Sequence, residues 1–247
     1  MRYILVLLLI FSSLLAQDSK QKVTIGLGPY VQTQPYKNVD NIVLPSPVIF
    51  YDNGVVYIRW SRAGLYFYGD KQEDYSWGFS FTIQPRVYGY EANEIALGMQ
   101  ERKNTWEGGL AFSAKTDKAY IEIMALTDIL DRYDSWILKT EIGYDIELGD
   151  FSFYPSVILI YQSSDFLDYY YGVKNIEASS TVFQEYHPSS GLQIGAQTYI
   201  KYPFTDNISA LINLRVDRIS KEATHSPIVN EDFIYSGLAS LIYTFEY

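Results

Sequence analysis

Apolar and polar residues alternate with a period of two along most of this chain, from Val23 to the terminal Tyr247. That rhythm belongs to strands with one face turned away from water, because successive side chains of a strand point to opposite sides. The pattern is clearest at the C-terminal end. Tyr235, Gly237, Ala239, Leu241, Tyr243, Phe245 and Tyr247 fall on one face, with Ser236, Ser240, Thr244 and Glu246 on the other. Ile208, Ala210, Ile212, Leu214 and Val216 likewise oppose Ser209, Asn213, Arg215 and Asp217, and Leu138, Ile142, Tyr144, Ile146 and Leu148 oppose Lys139, Glu141, Asp145 and Glu147. Convincing amphipathic helices are almost absent.

The connections carry as much information as the strands. Asp52-Asn53-Gly54, Thr116-Asp117, Gly149-Asp150 and Thr205-Asp206-Asn207 have the chemistry of tight turns, since Gly and Asn tolerate positive φ. Long polar connectors near residues 33–45, 88–106, 126–135, 163–190 and 220–233 lie between them. Short turns at one end and long loops at the other describe an up-and-down antiparallel sheet. The pattern predicts about twelve strands, near 23–31, 46–51, 55–60, 63–68, 75–87, 107–115, 118–126, 136–148, 151–162, 191–203, 207–219 and 234–246. The segment 46–68 reads as three short pieces or as two, so ten strands is the alternative.

Several strands run to about 10–13 residues, the length that crosses a bilayer obliquely rather than the 5–6 usual in soluble sheets. Aromatic residues end the apolar rows, as an interfacial girdle requires. Lys139 with Glu141 and Arg215 with Asp217 occupy the opposite rows, where charge is tolerable in a watery or salt-bridged lumen and costly in an apolar core. The expectation is an all-β transmembrane barrel, a soluble periplasmic β-domain being the alternative. Its last strand, ending Tyr243-Thr244-Phe245-Glu246-Tyr247, resembles the signal that such barrels present to their assembly machinery, and closure against the first strand would pair its edge.

Composition bounds the rest. The chain has 247 residues, no cysteine and a net charge of −10. Thiolate metal sites, disulfides and cysteine nucleophiles are therefore excluded, and the acidic balance argues against nucleic acid as a partner. Met1-Arg2-Tyr3, the apolar run Ile4 to Phe11 and the small residues up to Ala16 form a signal peptide, residues 1–16, too short to span a bilayer. Residues 17–247 then constitute one exported barrel domain. Without a cysteine to acylate, it is not a lipoprotein.

Six segments stand out in order along the chain: Gly26-Leu27-Gly28-Pro29-Tyr30, Pro45-Ser46-Pro47, Tyr170-Tyr171-Gly172-Val173, Tyr186 with Gly191, Ser226-Pro227-Ile228-Val229 and Gly237-Leu238 leading to Tyr243-Thr244-Phe245. In that order and spacing they resemble the MipA/OmpV family of Gram-negative outer-membrane proteins. Residues 88–135 match poorly, and Glu246-Tyr247 extends past the Phe at which many members stop. The resemblance implies a barrel in the outer membrane, in contact with lipid and lipopolysaccharide and assembled through its C-terminal strand. It also implies a scaffold role in murein (peptidoglycan) synthesis, joining a lytic transglycosylase to a bifunctional murein synthase. A narrow pore or solute-responsive channel is the alternative, and a monomer is expected.

No residue is assigned a catalytic, cofactor-binding or metal-binding role, and no enzyme activity is expected. His187 near Ser189 and Ser190, and His225 beside Ser226, are the two histidine–hydroxyl pairs available to a rim hydrolase. Both lie in loops beside proline, where a base is hard to hold in place. Asp131, Asp134, Asp165 and Asp168 lack calcium-loop spacing. Lys139, Glu141, Asp145, Glu147, Glu122, Arg215 and Asp217 form a candidate lumenal set, better able to plug a barrel of this size than to line a channel. The Tyr169-Tyr170-Tyr171-Gly172 cluster reads as a loop packed on the barrel mouth in preference to a partner surface.

Overall fold

A ring of antiparallel strands closes when β1 (Lys22–Gln32) pairs with β13 (Phe233–Glu246). The computed structural model describes residues 22–246 apart from Glu73, so the signal peptide expected at residues 1–16 and the terminal Tyr247 lie outside the described residues. From β1 the wall runs through β2 (Ile42–Asp52), β3 (Val56–Arg59), β4 (Arg62–Lys71), β5 (Tyr75–Arg86), β6 (Thr105–Thr116) and β7 (Ala119–Asp128). It continues through β8 (Trp136–Tyr144), β9 (Ile146–Leu148), β10 (Phe151–Gln162), β11 (Gly191–Pro203) and β12 (Ile208–Arg218). The sheet has 13 segments in this cyclic order. β8 and β9 both pair with β10 and are one strand interrupted at Asp145, so the barrel has twelve.

Alternation in burial follows the alternation in sequence. Along β13, Tyr235, Leu241, Tyr243 and Phe245 are exposed while Ile234, Leu238, Ser240 and Ile242 are buried. The exposed row is the lipid-facing wall, and its aromatics gather at the two ends: Trp106, Trp136 and Tyr161 towards the loops, Tyr75, Phe151 and Tyr243 towards the turns. These are the girdles that seat a barrel at two membrane interfaces. The inner row is more apolar than its polar members suggest, because Val48, Leu211, Leu238 and Ile242 pack there as a small core.

β2 begins at Ile42, four residues before the expected start at 46, since Pro45 and Pro47 are accommodated in a strand paired only with β1 at those positions. Two of the long connectors hold helices that the alternation conceals. α1 (Ser164–Tyr171) and α2 (Asn175–Ser180) lie between β10 and β11, and α3 (Lys221–Thr224) between β12 and β13. Ser163 accepts from the Phe166 N–H and caps α1 at its N-terminus.

Two glycines make room for lumenal tyrosines. Gly64 lies opposite Tyr57 and Gly143 opposite Tyr120, and a Cβ at either would stand 2.3 Å from a ring atom. The ring of each tyrosine therefore covers a bare stretch of neighbouring backbone. Replacing Gly143 with Val should cost about 1–3 kcal/mol by overpacking. Urea unfolding of the vesicle-refolded barrel, followed by heat-modifiable gel migration, measures this; an unchanged midpoint would refute the packing role.

Candidate functional site: a capped lumen

The interior divides into a charged belt inside the wall and an aromatic cap over the loop end. In the belt, Glu122 receives both Arg59 at 3.0 Å and Arg62 at 2.5 Å. Arg215 grips Asp217 through two guanidinium nitrogens at 2.6 and 2.7 Å, and Asp217 also accepts from Gln193 at 2.9 Å. Glu141 accepts from the Tyr120 hydroxyl, Ser156 and Gln197 at 2.7, 3.1 and 3.1 Å. Higher up, Arg86 is ion-paired to fully buried Glu107, which also accepts from Gln84 and the Tyr133 hydroxyl. Strand alternation places all these groups inward, and their mutual pairing satisfies charges that an apolar interior could not hold.

Lys139 is the exception. Its ammonium has Glu141 at 3.8 Å, beyond hydrogen-bonding distance. Gln162 Oε1 and Arg62 Nε are also buried without a hydrogen-bond partner. These groups border a cavity of about 520 Å³ between belt and cap, within the range of ordinary ligand sites.

The cap is built by the loops and α1. Phe166, Leu167, Tyr170 and Tyr171 of α1 are buried against Tyr36, Tyr88, Tyr90, Tyr133 and Ile228 from four other segments. The hydroxyls of Tyr88 and Tyr171 are hydrogen-bonded, Ser226 donates to the Tyr171 carbonyl at 2.6 Å, and the Tyr36 and Tyr90 rings meet edge to face at 4.8 Å. Arg102 is 1% exposed and pairs with Glu177, 0% exposed, at 2.9 Å. It also donates to the carbonyls of Tyr169 and Gln100. Burial opposes ionisation of Glu177, but Arg102 and the backbone N–H groups of Lys174 and Gln100 outweigh it and hold the carboxyl below the usual range.

Placed in this frame, the residues singled out in the sequence separate clearly. Lys139, Glu141, Glu122, Arg215 and Asp217 come together in the belt. Asp145 and Glu147 do not: Asp145 reaches Lys115 at 3.3 Å and Glu147 accepts from Ser152, both at the turn end where the strand breaks between β8 and β9. Tyr170 and Tyr171 are cap core. His187 Nδ1 lies 2.7 Å from Asp168 and Nε2 lies 3.1 Å from Glu185. Carboxylates occupy both ring nitrogens, so neither is free to activate Ser189 or Ser190. His225 is exposed, as the C-cap of α3. The buried pairs Arg102–Glu177 and Arg86–Glu107 have no sequence signal, since nothing local links residues so far apart.

A closed antiparallel barrel with short turns at one end, plugged loops at the other and two aromatic girdles defines an integral outer-membrane β-barrel protein. Comparison with known sequences narrows the class. The family model "MltA-interacting protein MipA" matches residues 25–245, and the chain belongs to that family. The MltA-interacting protein of Escherichia coli K12 is 25% identical over 97% of this chain and 96% of its own. A putative outer membrane protein YiaT from the same strain is 21% identical over 90% of this chain and 91% of its own. The outer membrane protein OmpV of Vibrio cholerae is 27% identical over 66% and 63%. The protein accordingly resides in the outer membrane.

Two outcomes test the cap. Arg102→Ala strands a buried carboxylate at a cost of about 3–5 kcal/mol. Protease cleavage within 163–190 should accelerate while the heat-modifiable wall survives. The wild-type cap should behave similarly on acidification: Glu177 is depressed, so its contribution is present above the free-carboxylate value and lost as pH falls through the folded value. Cleavage that is independent of both would contradict the pairing. For His187, hydrogen bonds to Asp168 and then Glu185 raise its pKa. Its imidazole resonance should titrate above the free-histidine value of about 6.5, and a midpoint at or below that value would remove those contacts.

Proposed function

We propose that this protein is a monomeric outer-membrane docking protein that holds periplasmic murein-remodelling enzymes at the membrane, with no catalytic step of its own and no solute conduction along its axis. The observation that carries this reading is the double obstruction of the lumen. The aromatic cap lies across the loop end, and Arg59 and Arg62 meet across Glu122 beneath it. A conducting pore needs an open polar path, and these side chains fill it.

The turn end supports the docking half of the proposal. Long loops of bacterial barrels face outward and short turns face the periplasm. Here those turns carry Asp52, Asp70, Asp117, Asp150 and Asp206, an acidic rim suited to a basic partner surface. A family relative is named for interaction with MltA, and the MipA/OmpV resemblance makes a lytic transglycosylase and a bifunctional murein synthase the expected guests. Capture of these enzymes by the vesicle-embedded barrel should be salt-sensitive and fall at least about tenfold for Asp117→Lys with Asp206→Lys, equivalent to about 1.4 kcal/mol. Planar bilayers should show no unitary conductance. Discrete channel steps without enzyme capture would replace this reading with the pore.

A further inference from the structure

The barrel wall is incomplete on one side. β3 has four residues, and its hairpin with β4 turns back at Trp60-Ser61, partway up the wall. β2 pairs with β3 only at residues 50–52, the last link being the Trp60 N–H to the Ile49 carbonyl at 2.8 Å. Residues 42–48 have β1 on one side and no ladder partner on the other. Across the gap, β5 pairs with β4 only as far as Ile83, although it continues to Arg86 along β6. The result is a notch above the β3–β4 hairpin, in the half of the wall nearer the loops.

Its edges have an unusual chemistry. The Ile49 carbonyl points towards the hairpin, so by strand alternation the N–H groups of residues 45 and 47 would point the same way, into the notch; both are proline. On β5, the Tyr75 carbonyl accepts from Gln72 on the β4 side, which by the same alternation aims position 85 at the notch, and it too is proline. An unpaired backbone N–H in hydrocarbon costs several kcal/mol. Pro45, Pro47 and Pro85 remove three such donors from an edge that no strand covers. The opening is thus built into the sequence.

The cavity beneath the cap joins this notch. Its lining includes lipid-facing Pro47, Ile83 and Pro85 together with lumenal Lys139, Arg62 and Gln162, which a continuous wall would keep apart. Although the whole chain carries −10, the charged groups lining the cavity are Arg62, Arg86, Lys139 and Arg215 against Glu107 and Asp217. The anion beside Lys139, Glu141, stands 3.8 Å away, beyond hydrogen-bonding distance, and Arg62, paired with Glu122 through a terminal nitrogen, keeps a buried Nε without an acceptor.

From this geometry we infer that the notch is a lateral portal through which an anionic amphiphile of the outer leaflet places its headgroup against Lys139 and Arg62 while its apolar chain remains between Pro47 and Pro85. The headgroup chemistry is a carboxylate or a phosphate monoester. The portal is independent of enzyme docking at the periplasmic turns, and either activity can fail without the other.

Trp60 reports on the site: it lies at the hairpin tip, donates to Ser46 at 3.0 Å and packs edge to face on Tyr30 at 5.7 Å. In a variant carrying Trp77→Phe, Trp106→Phe and Trp136→Phe, refolded in phosphatidylcholine vesicles, dibromostearate and dibromododecyl phosphate should each quench Trp60 saturably. Dibromostearyl alcohol should not. Lys139→Gln should raise the half-saturating concentration of both anions about tenfold, the loss of one charge-assisted contact, with heat-modifiable migration confirming the fold. Saturation by one anion alone identifies the head. Equal, unsaturable quenching by all three probes, or an unchanged half-saturation in Lys139→Gln, would overturn the inference. The route is tested separately, because the chain has no native thiol. Gln197→Cys, across the lumen, should react with a phospholipid bearing an acyl-chain maleimide but not with a large water-soluble maleimide. Failure of the lipid reagent while it fully labels the lipid-facing control Val157→Cys would exclude a lateral path.

Discussion

Hydrogen-bond closure of the backbone is the constraint on which the rest of this structure depends. A strand in hydrocarbon has no water to satisfy its N–H and C=O groups, so the wall is stable only when each edge meets another. β1 and β13 meet that demand over most of their length, with Lys22 and Glu246 joined at the lower end at 2.6 Å. Once the ring is closed, the lumenal row is isolated from lipid, and only then can residues such as Glu122 and Asp217 be held inside. The belt is thus a consequence of closure rather than a contributor to it. Where closure lapses above the β3–β4 hairpin, Pro45, Pro47 and Pro85 remove the donors at their positions.

Belt and cap solve different problems. In the belt, alternation sets the spacing and pairs run along one strand or across the lumen, as Arg215 with Asp217 along β12 and Arg62 of β4 with Glu122 of β7. In the cap no repeating geometry exists, so order comes from aromatic packing and from one nearly inaccessible ion pair. Tyr36, Tyr88, Tyr90, Tyr170 and Tyr171 serve there because a tyrosine combines a large apolar face with a hydroxyl that can reach a partner. The many tyrosines of the composition accordingly serve in three places, at the lipid interfaces, beneath the loops and, as Tyr57 and Tyr120, inside the lumen.

The wall was largely legible because its information is local. A period of two, a turn dipeptide and a row of outward aromatics can each be read within a dozen residues, and the twelve strands and the facing of Lys139 and Arg215 follow from them; the packing of Tyr170 and Tyr171 is legible only in the length of their loop. The cap was not legible in that way. α1 is a short helix whose apolar face exists only against loops far away in the chain, and Arg102 and Glu177 lie 75 residues apart. The notch stood between the two. Its prolines and the brevity of 46–68 were visible, but that a strand edge goes unpaired is a property of register, which appears only when neighbours are placed.

The separation of Arg102 from Glu177 also ties the cap to the wall. Arg102 belongs to the connector before β6 and Glu177 to the one after β10, so five wall segments lie between the partners. Their contact at 2.9 Å requires both connectors to lean over the same end of the ring. Order in the cap is therefore a readout of the whole barrel rather than of any single hairpin.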